Sequence, residues 1–254
     1  MMKQIADFTL VEKERFGNAV LMRLHAEQPL PEIAPGQFVQ VRVDNSPNTY
    51  LRRPISIHDV NYAEQTIDLL VQLVGEGTRH LGAANVGDRI NLVLPLGNGY
   101  TFPERDEAVL LVGGGIGIAP LFYLAKCMTL KGQHPVFLLG GKKASDLVRL
   151  DAFRMVGETL VTTEDGSLGE KGMVTMHSVW KERKFDRIYV CGPKRMMMAV
   201  ADIAKANDVW CEVSLEHMMA CGLGACLCCV EDTVEGNLCV CKEGPVFNTR
   251  RLKW

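Results

Sequence analysis

Residues 108–125 read AVLLVGGGIGIAPLFYLA, and this stretch contains no charged residue. Its length is that of a membrane span, but the glycines after Val112 and the proline at Pro120 interrupt it. The apolar run Ala108–Val112 is typical of a buried parallel strand, and proline is favoured in the first turn of a helix. The stretch therefore predicts a strand, a glycine turn and a helix.

The glycine turn has the composition of a dinucleotide-binding motif. It contains G-x-G-x-x-P, in which proline replaces the usual third glycine or alanine. Glycines after a buried strand let a dinucleotide approach the backbone closely. The candidate binding residues of this turn are Gly113, Gly115, Gly117 and Pro120.

Apolar runs at residues 136–139 and 187–190 predict further strands, each followed by a turn and a helix. Strands that alternate with helices indicate a parallel sheet, and ligands bind where such strands end. The candidate residues after the second run are Cys191, Gly192 and Pro193. A free cysteine is more commonly a buried small hydrophobic residue. The polar, glycine-rich residues 163–172 either wrap a ribose or nicotinamide or form an ordinary surface loop.

The first hundred residues have a different pattern. Short β-type runs at residues 38–43, 67–74 and 90–94 are separated by turn residues. This spacing is typical of a small antiparallel barrel.

Two segments of the predicted barrel carry groups that suit a flavin nucleotide. Residues 53–56 read RPIS, in which arginine can bind a pyrophosphate and serine can hydrogen-bond the edge of a flavin ring. The pair formed with Arg52 is otherwise typical of a solvated surface. Residues 75–78 read GEGT and predict that Thr78 caps a helix starting at Arg79, whose N–H groups would bind a phosphate.

Six of the nine cysteines lie between Cys221 and Cys241. Cys221, Cys226 and Cys229 have the C-x4-C-x2-C spacing of plant-type [2Fe-2S] clusters. The small residues between them suit a loop whose N–H groups approach sulfur. Spacing alone leaves Cys239 and Cys241 as alternatives for the fourth ligand. The competing interpretations are a zinc site, which prefers two C-x2-C pairs, and disulfide bonds.

Composition excludes some classes of function. The formal net charge is −2 and the sequence pI is about 6.3, so nothing attracts nucleic acid or an acidic membrane surface. The first residues carry charges and no apolar run of the signal-peptide kind. We therefore expect a cytoplasmic protein, in which reducing conditions keep the thiols available.

These patterns predict a multidomain chain that combines an all-β and an α/β fold. We expect residues 1–103 to form an antiparallel flavin-binding β-barrel and residues 104–210 a Rossmann-like parallel α/β nucleotide domain. Residues 211–254 are expected to form a small [2Fe-2S] module.

The order of these motifs resembles that of the ferredoxin-NADP reductase superfamily. The chain looks most like the electron transfer subunits of class 1B dihydroorotate dehydrogenase, and the resemblance covers nearly all 254 residues. It depends on residues 53–56, residues 113–120, the Cys-Gly-Pro at 191–193, and the cysteine segment followed by VCKEGPVF at 240–247.

The resemblance implies one FAD, one [2Fe-2S] cluster and NAD as a substrate. The implied cluster ligands are Cys221, Cys226, Cys229 and Cys241. The implied FAD-binding residues are Arg53, Pro54, Ile55, Ser56, Leu70, Val71, Gln72, Gly77 and Thr78. The implied NAD-binding residues are Gly113, Gly115, Gly117, Pro120, Cys191, Gly192 and Pro193, with Cys191 near the nicotinamide.

The resemblance also implies an activity and a partner. Electrons would pass from the FMN of a separate catalytic subunit through [2Fe-2S] and FAD to NAD+, in pyrimidine (UMP) biosynthesis. The two kinds of subunit would form a heterotetramer of two plus two, with Val246 and Phe247 as candidates for docking. The alternatives are a related reductase subunit of a hydrogenase or sulfide dehydrogenase, and a zinc-stabilised binding module.

Overall fold

The structure, a computed structural model, describes residues 3–44 and 46–254. Within these residues the N-terminal part forms a closed antiparallel barrel with the strand order β1-β2-β5-β4-β3-β6. Its strands are β1 (Gln4–Phe16), β2 (Ala19–Ala26), β3 (Phe38–Val41), β4 (Arg53–Asn61), β5 (Thr66–Gln72) and β6 (Arg89–Leu96). Helix α1 (Glu76–Ala83) lies between β5 and β6. The antiparallel barrel predicted from the spacing of the runs is confirmed.

Successive side chains of β3 lie alternately on the inner and the outer face of the barrel wall. Val39 and Val41 lie in the barrel core, whereas Phe38 belongs to a second core that it shares with the α/β sheet. Successive side chains of a strand point to opposite faces, so Gln40 lies on the outer face with Phe38. Pro54 of β4 is the register partner of Gln40. A slip of one residue would move both valines out of the core, where each contributes about 1.5–3 kcal/mol.

The second domain is a sheet with the strand order β10-β9-β8-β7-β11-β12-β15, in which all neighbours are parallel except β12 and β15. Its first strands are β7 (Val109–Gly114), β8 (Val136–Gly141), β9 (Glu158–Thr163) and β10 (Glu170–Lys171). They are followed by β11 (Arg187–Cys191) and β12 (Trp210–Ser214). The helices are α2 (Ala119–Leu130), α3 (Leu150–Val156), α4 (Val179–Glu182) and α5 (Lys194–Ala206). The predicted parallel α/β domain is confirmed.

The uncharged stretch at residues 108–125 divides as its glycines predict. Strand β7 leads into a 3₁₀ turn at Gly115–Ile118, and α2 follows with Pro120 in its first turn. Among the residues that the structure describes, no helix is long and apolar enough to cross a membrane.

Polar contacts join the barrel to helix α2. His58 of β4 is fully buried, and its Nδ1 lies 2.8 Å from the carbonyl oxygen of Ala119. Lys126 Nζ lies 2.7 Å from a carboxylate oxygen of Asp59, and the Tyr123 hydroxyl donates to the carbonyl of Ile33 at 3.3 Å. These contacts fix the angle at which the two domains meet.

The C-terminal segment does not form a separate tail. A hairpin of β13 (Val230–Thr233) and β14 (Gly236–Cys239) leads through α6 (Val240–Glu243) to β15 (Val246–Asn248). Strand β15 pairs antiparallel with β12 and so returns to the α/β sheet. Val246 and Phe247 are buried, with 6% and 1% of their surface exposed. The prediction that these two residues dock a partner is wrong, because both side chains are already buried in hydrophobic cores of the chain itself.

Two local expectations also change. Strand β12 crosses the expected boundary between residues 210 and 211, and its pairing with β11 keeps it in the sheet. We therefore propose that the cysteine module starts after Ser214. Helix α1 begins at Glu76 rather than Arg79, so Thr78 is not its N-cap. The Thr78 hydroxyl instead lies inside the first turn and accepts hydrogen bonds from the N–H groups of Val74 and Gly75.

Candidate functional site

A cavity of about 520 Å³ opens where the barrel meets the ends of the parallel strands. The barrel contributes Gln72 at the end of β5, and the α/β domain contributes Gly115 and Pro193. Basic and acidic side chains line the same cavity, among them Lys142 and Glu164. Ligands bind at this position in open α/β sheets. The structure thus brings together residues predicted separately for a flavin and for a nicotinamide nucleotide.

The three glycines predicted to bind NAD have different surroundings. Gly115 has a φ of +55° and no heavy atom within 4 Å of where a Cβ would stand, so it opens onto the cavity. At Gly117 a Cβ would lie 2.5 Å from Gly192 Cα, and at Gly113 it would lie 2.7 Å from Ile118 Cγ2. Gly113 and Gly117 therefore permit close packing of the turn, and Gly115 is the one that a dinucleotide can approach.

Cys191 lies beneath this cavity rather than on its surface. Its side chain ends β11 with 1% of its surface exposed. Burial, together with the nearby carboxylate of Glu216, raises the pKa of the Cys191 thiol well above its usual range. Pro120 is also buried, inside the first turn of α2. Neither Cys191 nor Pro120 is among the residues that line the cavity.

The arginine pair at the start of β4 is divided between two roles. Arg52 donates to the carbonyl oxygens of Gln40 at 3.2 Å and Asn91 at 3.1 Å, so it is fixed within the barrel. The side chain of Arg53 makes no hydrogen bond or ion pair with another described residue, although its backbone is part of the β3–β4 pairing. Its Nε would lie 2.7 Å from a Cβ at Gly77, so the absence of a side chain there lets the guanidinium cross the start of α1.

This arrangement suits a phosphate. The first N–H groups of a helix have no partner within the helix, and the helix dipole adds positive potential at that end. The guanidinium of Arg53 lies beside the first turn of α1, and two positive features therefore converge on one point. A pyrophosphate would find charge-assisted donors at this point.

Two of the three residues on β5 that were predicted to bind the flavin have buried side chains, so only their backbone is available to a ligand. Leu70 and Val71 have 3% and 1% of their surface exposed, and their side chains lie in two different cores. Gln72 is half-buried and reaches the cavity. On β4, the register of Phe38 with Ser56 and of Gln40 with Pro54 puts Pro54 and Ser56 on the outer face, while Ile55 packs against the barrel core.

The cysteine loop directs backbone donors at sulfur. The N–H of Leu223 donates to Cys221 Sγ at 3.3 Å, and the N–H of Gly224 donates to Cys241 Sγ at 3.1 Å. A third N–H, that of Cys241, donates to Cys229 Sγ at 3.3 Å. Partial burial opposes ionisation of Cys221, but the surrounding N–H groups prevail and lower the pKa of its thiol to about 6. Such donors suit thiolate ligands.

The four predicted ligands approach one another in two pairs. Cys221 contacts Cys226, and Cys229 contacts Cys241. Within residues 3–44 and 46–254, no three His, Cys, Asp or Glu side chains converge as the ligands of a single metal ion do. A [2Fe-2S] core has two irons and four cysteine ligands, so two adjacent pairs fit it.

The two remaining cysteines of the segment lie outside these pairs. Cys228 is exposed, and its Sγ lies 3.6 Å from the carbonyl oxygen of Met218. Cys239 lies 3.9 Å from the carbonyl oxygen of Gly224. Burial, followed by the nearby thiols of Cys229, Cys221 and Cys226, raises the pKa of Cys239, so Cys239 also lies close to the two pairs. The choice of Cys241 over Cys239 as the fourth ligand stays a prediction from the resemblance.

Sequence patterns missed one residue that borders the cysteine loop. Gln40 lies on the outer face of β3, and a Cβ at Gly222 would stand 2.9 Å from its Nε2. In FVQVRV a polar residue at an outward position is typical of a solvent-exposed face. Gln40 is nevertheless completely buried. A polar residue between two valines gave no local sign of this burial.

Comparison with known proteins agrees with this geometry. A family model described as the iron-sulfur cluster binding domain of dihydroorotate dehydrogenase B matches residues 216–253. The dihydroorotate dehydrogenase B (NAD(+)) electron transfer subunit of Caldanaerobacter subterraneus subsp. tengcongensis is 44% identical over 219 residues, 84% of each chain. The subunit of the same name from Desulforamulus reducens is 41% identical over 243 residues, 91% of this chain and 92% of the relative.

Solved structures match most of the chain. A chain from the structure of an NADH-dependent reduced ferredoxin-NADP oxidoreductase has a TM-score of 0.88 and 32% identity, and the match covers 97% of this chain and 90% of that chain. The flavohem-like FAD/NAD binding domain of a nitric oxide dioxygenase from Vibrio cholerae has a TM-score of 0.70 at 19% identity, over 80% of this chain and 94% of that domain. The second likeness concerns the fold alone.

Proposed function

The chain belongs to the family of dihydroorotate dehydrogenase B electron transfer subunits, and from this premise we propose how its residues connect NAD+ to a catalytic partner. As a member of that family it carries FAD and a [2Fe-2S] cluster and transfers electrons in pyrimidine biosynthesis. Nicotinamide exchanges two electrons as hydride and an iron-sulfur cluster one at a time, whereas a flavin can do both. The proposed path therefore runs from the FMN of the partner through [2Fe-2S] and FAD to NAD+.

The observation that carries this proposal is the cavity shared by both domains. Gln72 ends a barrel strand that is proposed to border the flavin, and Gly115 and Pro193 lie on the nucleotide side of the same space. A nicotinamide ring bound at Gly115 and Pro193 would face the barrel without an intervening layer of protein. Hydride transfer requires such direct contact between the two rings.

The opposite end of the path is supported by the outer face of the barrel. Phe38 of β3 packs in the same core as Cys229 and Cys241. Pro54 and Ser56, proposed to hold the flavin ring, lie on that face of the neighbouring strand. The cysteine module thus contacts β3, the strand that pairs with β4, and we propose that a cluster held by Cys221, Cys226, Cys229 and Cys241 lies near the flavin.

Phosphate binding has its own proposed residues. Arg53 and the first turn of α1, with Gly77 between them, supply the donors for the FAD pyrophosphate. Thr78 keeps this turn in shape through its hydrogen bonds to Val74 and Gly75. Gln72 and the backbone of Leu70 and Val71 complete the proposed FAD site.

We propose that the partner docks on the surface around the cysteine loop. Met218, Leu223 and Leu227 expose 87%, 47% and 65% of their surface there. An exposed apolar patch next to a redox centre suits an interface that must bring two centres close together. The identities of 44% and 41% to dihydroorotate dehydrogenase subunits, against 32% to the ferredoxin-NADP oxidoreductase chain, support an FMN-containing dihydroorotate dehydrogenase as partner.

The proposed assembly contains two of these chains and two catalytic subunits. Its proposed compartment is the cytoplasm, where thiols are kept reduced. All nine cysteines are free in the structure.

Low-temperature electron paramagnetic resonance of the anaerobically purified protein tests the path. We expect a rhombic [2Fe-2S] signal to appear when NADH is added, because electrons then run from the nicotinamide through FAD to the cluster. A sample that holds zinc in place of iron, and stays silent with NADH, would overturn the proposal.

A second measurement tests the partner. The purified chain should oxidise NADH with an artificial acceptor, and it should form no orotate until an FMN-containing catalytic subunit is added. Orotate formation by the chain alone would contradict the proposed division of roles.

A further inference from the structure

Gln40 is buried in a way that the described contacts of its side chain do not explain. Its side chain is 0% exposed, and neither Oε1 nor Nε2 has a hydrogen-bond partner among the described residues. Burying an amide without a partner is costly, and buried polar groups of native proteins are almost always paired. The amide therefore indicates a partner that is not part of the polypeptide.

The position of this amide narrows the choice of partner. Gln40 lies on β3 opposite Pro54, one of the residues proposed to hold the flavin. Its backbone carbonyl is held by Arg52 at 3.2 Å, so the strand is fixed there. On the other side, its Nε2 is 2.9 Å from where a Cβ of Gly222 would stand.

Gly222 lets the cysteine loop come this close. It has a φ of +68°, a conformation that glycine adopts without strain, and any side chain would collide with Gln40. Gly222, the residue that follows Cys221, is thus packed against the side-chain amide of Gln40. The backbone donors that reach the sulfurs, from Leu223, Gly224 and Cys241, all belong to the cysteine module itself.

We propose that Gln40 donates a hydrogen bond from Nε2 to a sulfur of the [2Fe-2S] site, from the barrel side. This inference depends on the proposed function, since it needs the cluster to be held by this loop. Reduction adds negative charge to the cluster, and a hydrogen bond to sulfur stabilises the reduced form more than the oxidised form. Gln40 is then a positioning and tuning residue that raises the reduction potential.

Redox titration followed by electron paramagnetic resonance tests this role in the complete protein. In Gln40→Met, which keeps the volume but has no donor, we expect the ratio of reduced to oxidised cluster at a fixed potential to fall about tenfold, or about 59 mV for one electron. In Gln40→Glu an added negative charge should lower the potential at least as far.

Gln37 provides the matched control. It is also a buried barrel glutamine, but its Oε1 accepts from the N–H of Ala34 at 2.8 Å and its Nε2 donates to the carbonyl of Gly97 at 2.7 Å. Gln37→Met should reduce stability and leave the cluster potential unchanged. Equal shifts of the cluster reduction potential in Gln37→Met and Gln40→Met would overturn the inference.

A measurement on the protein with its unchanged sequence tests the hydrogen bond even if the Gln40 variants fail to fold. Protein labelled with ¹⁵N at glutamine side chains should show a weak ¹⁵N coupling in the pulsed resonance spectrum of the reduced cluster. A cluster signal without that coupling, or an unchanged potential in Gln40→Met, would show that the amide binds something else, such as water. Absence of any [2Fe-2S] signal in the unchanged protein would instead overturn the proposed function.

Discussion

Two of the contacts that the barrel makes with the rest of the chain differ in how their polar groups are satisfied. Towards α2, His58 binds the carbonyl of Ala119 and Asp59 binds Lys126. Towards the cysteine module, Gln40 has no partner among the described residues. In the contact with α2, both named side chains have partners within the polypeptide. In the contact with the cysteine module, the amide of Gln40 keeps a donor that a bound group can use. The domain arrangement should therefore outlast removal of the cluster.

The largest effect is expected at the second contact. Cys229→Ser removes a proposed ligand in a buried position, so the [2Fe-2S] signal should disappear and transfer to the catalytic subunit should fall at least about 100-fold. NADH oxidation with a soluble acceptor should continue, because FAD and the nucleotide cavity are untouched. Iron content, resonance spectra and a coupled orotate assay measure these three quantities.

Cys228→Ser is the matched control for that change. The thiol of Cys228 is exposed, and its one hydrogen bond among the described residues is to the carbonyl oxygen of Met218. This variant should keep its iron and its transfer rate. Iron retained in full by Cys229→Ser would refute the proposed ligand set.

The arginine pair gives the next largest effect. Arg53→Leu should weaken FAD binding about 10- to 100-fold, because a charge-assisted contact to phosphate contributes about 1.5–3 kcal/mol. Arg52→Leu should instead lower the free energy of unfolding by about 1.5–3 kcal/mol, since its bonds to Gln40 and Asn91 are internal to the barrel. FAD titration and chemical denaturation separate the two. Similar FAD affinities in both variants would remove the distinction between a binding and a structural arginine.

Low pH should weaken the contact between the barrel and α2. Burial, followed by the charge of Arg149, lowers the pKa of His58 to about 3 in the folded protein, against about 6.5 when unfolded. The unfolded chain therefore binds more protons below pH 6.5, and stability is lost as the pH falls from there towards 3. At pH 5 the free energy of unfolding should be lower than at pH 7 by about 2 kcal/mol from this residue.

Denaturation curves at pH 7 and pH 5 measure that loss. His58→Asn should reduce the difference between the two pH values, whereas His134→Asn, at an exposed position, should leave it as it is. If His58→Asn shows the same difference in stability between pH 7 and pH 5 as the unchanged protein, the loss of stability comes from protonation of other groups.

The smallest effect on stability is expected at the proposed docking surface. Leu227 exposes 65% of its surface, so Leu227→Ser should change the free energy of unfolding by no more than about 0.5 kcal/mol. Binding to the catalytic subunit should nevertheless weaken measurably. Titration calorimetry with the partner would reveal whether this surface is part of the interface, and unaltered affinity would exclude Leu227 from it.

Local patterns predicted most of the elements and three of the proposed cluster ligands, Cys221, Cys226 and Cys229, whereas the fourth, Cys241, was implied by the resemblance alone. The strand, turn and helix at residues 108–125 follow from consecutive residues, because glycine and proline limit the backbone there. The cysteine loop is similar, since its spacing is itself local. Such features require no knowledge of the rest of the chain.

Features that depend on distant residues could not be predicted in this way. The different roles of Arg52 and Arg53 depend on Asn91, which lies on another strand. The burial of Phe247 depends on the return of β15 to β12. The burial of Gln40 involves Gly222 of the cysteine loop, which lies far along the chain.

The return of β15 also protects the molecule from self-association. Strand β12 would otherwise present a free row of N–H and C=O groups, which is a template for adding a strand from another copy. A chain cut after Ser214 would thus lose more than its cluster, and we expect it to aggregate through β12. The cysteine module is an insertion between two strands of one sheet, so engineering it out requires a short connection that keeps β15 in place.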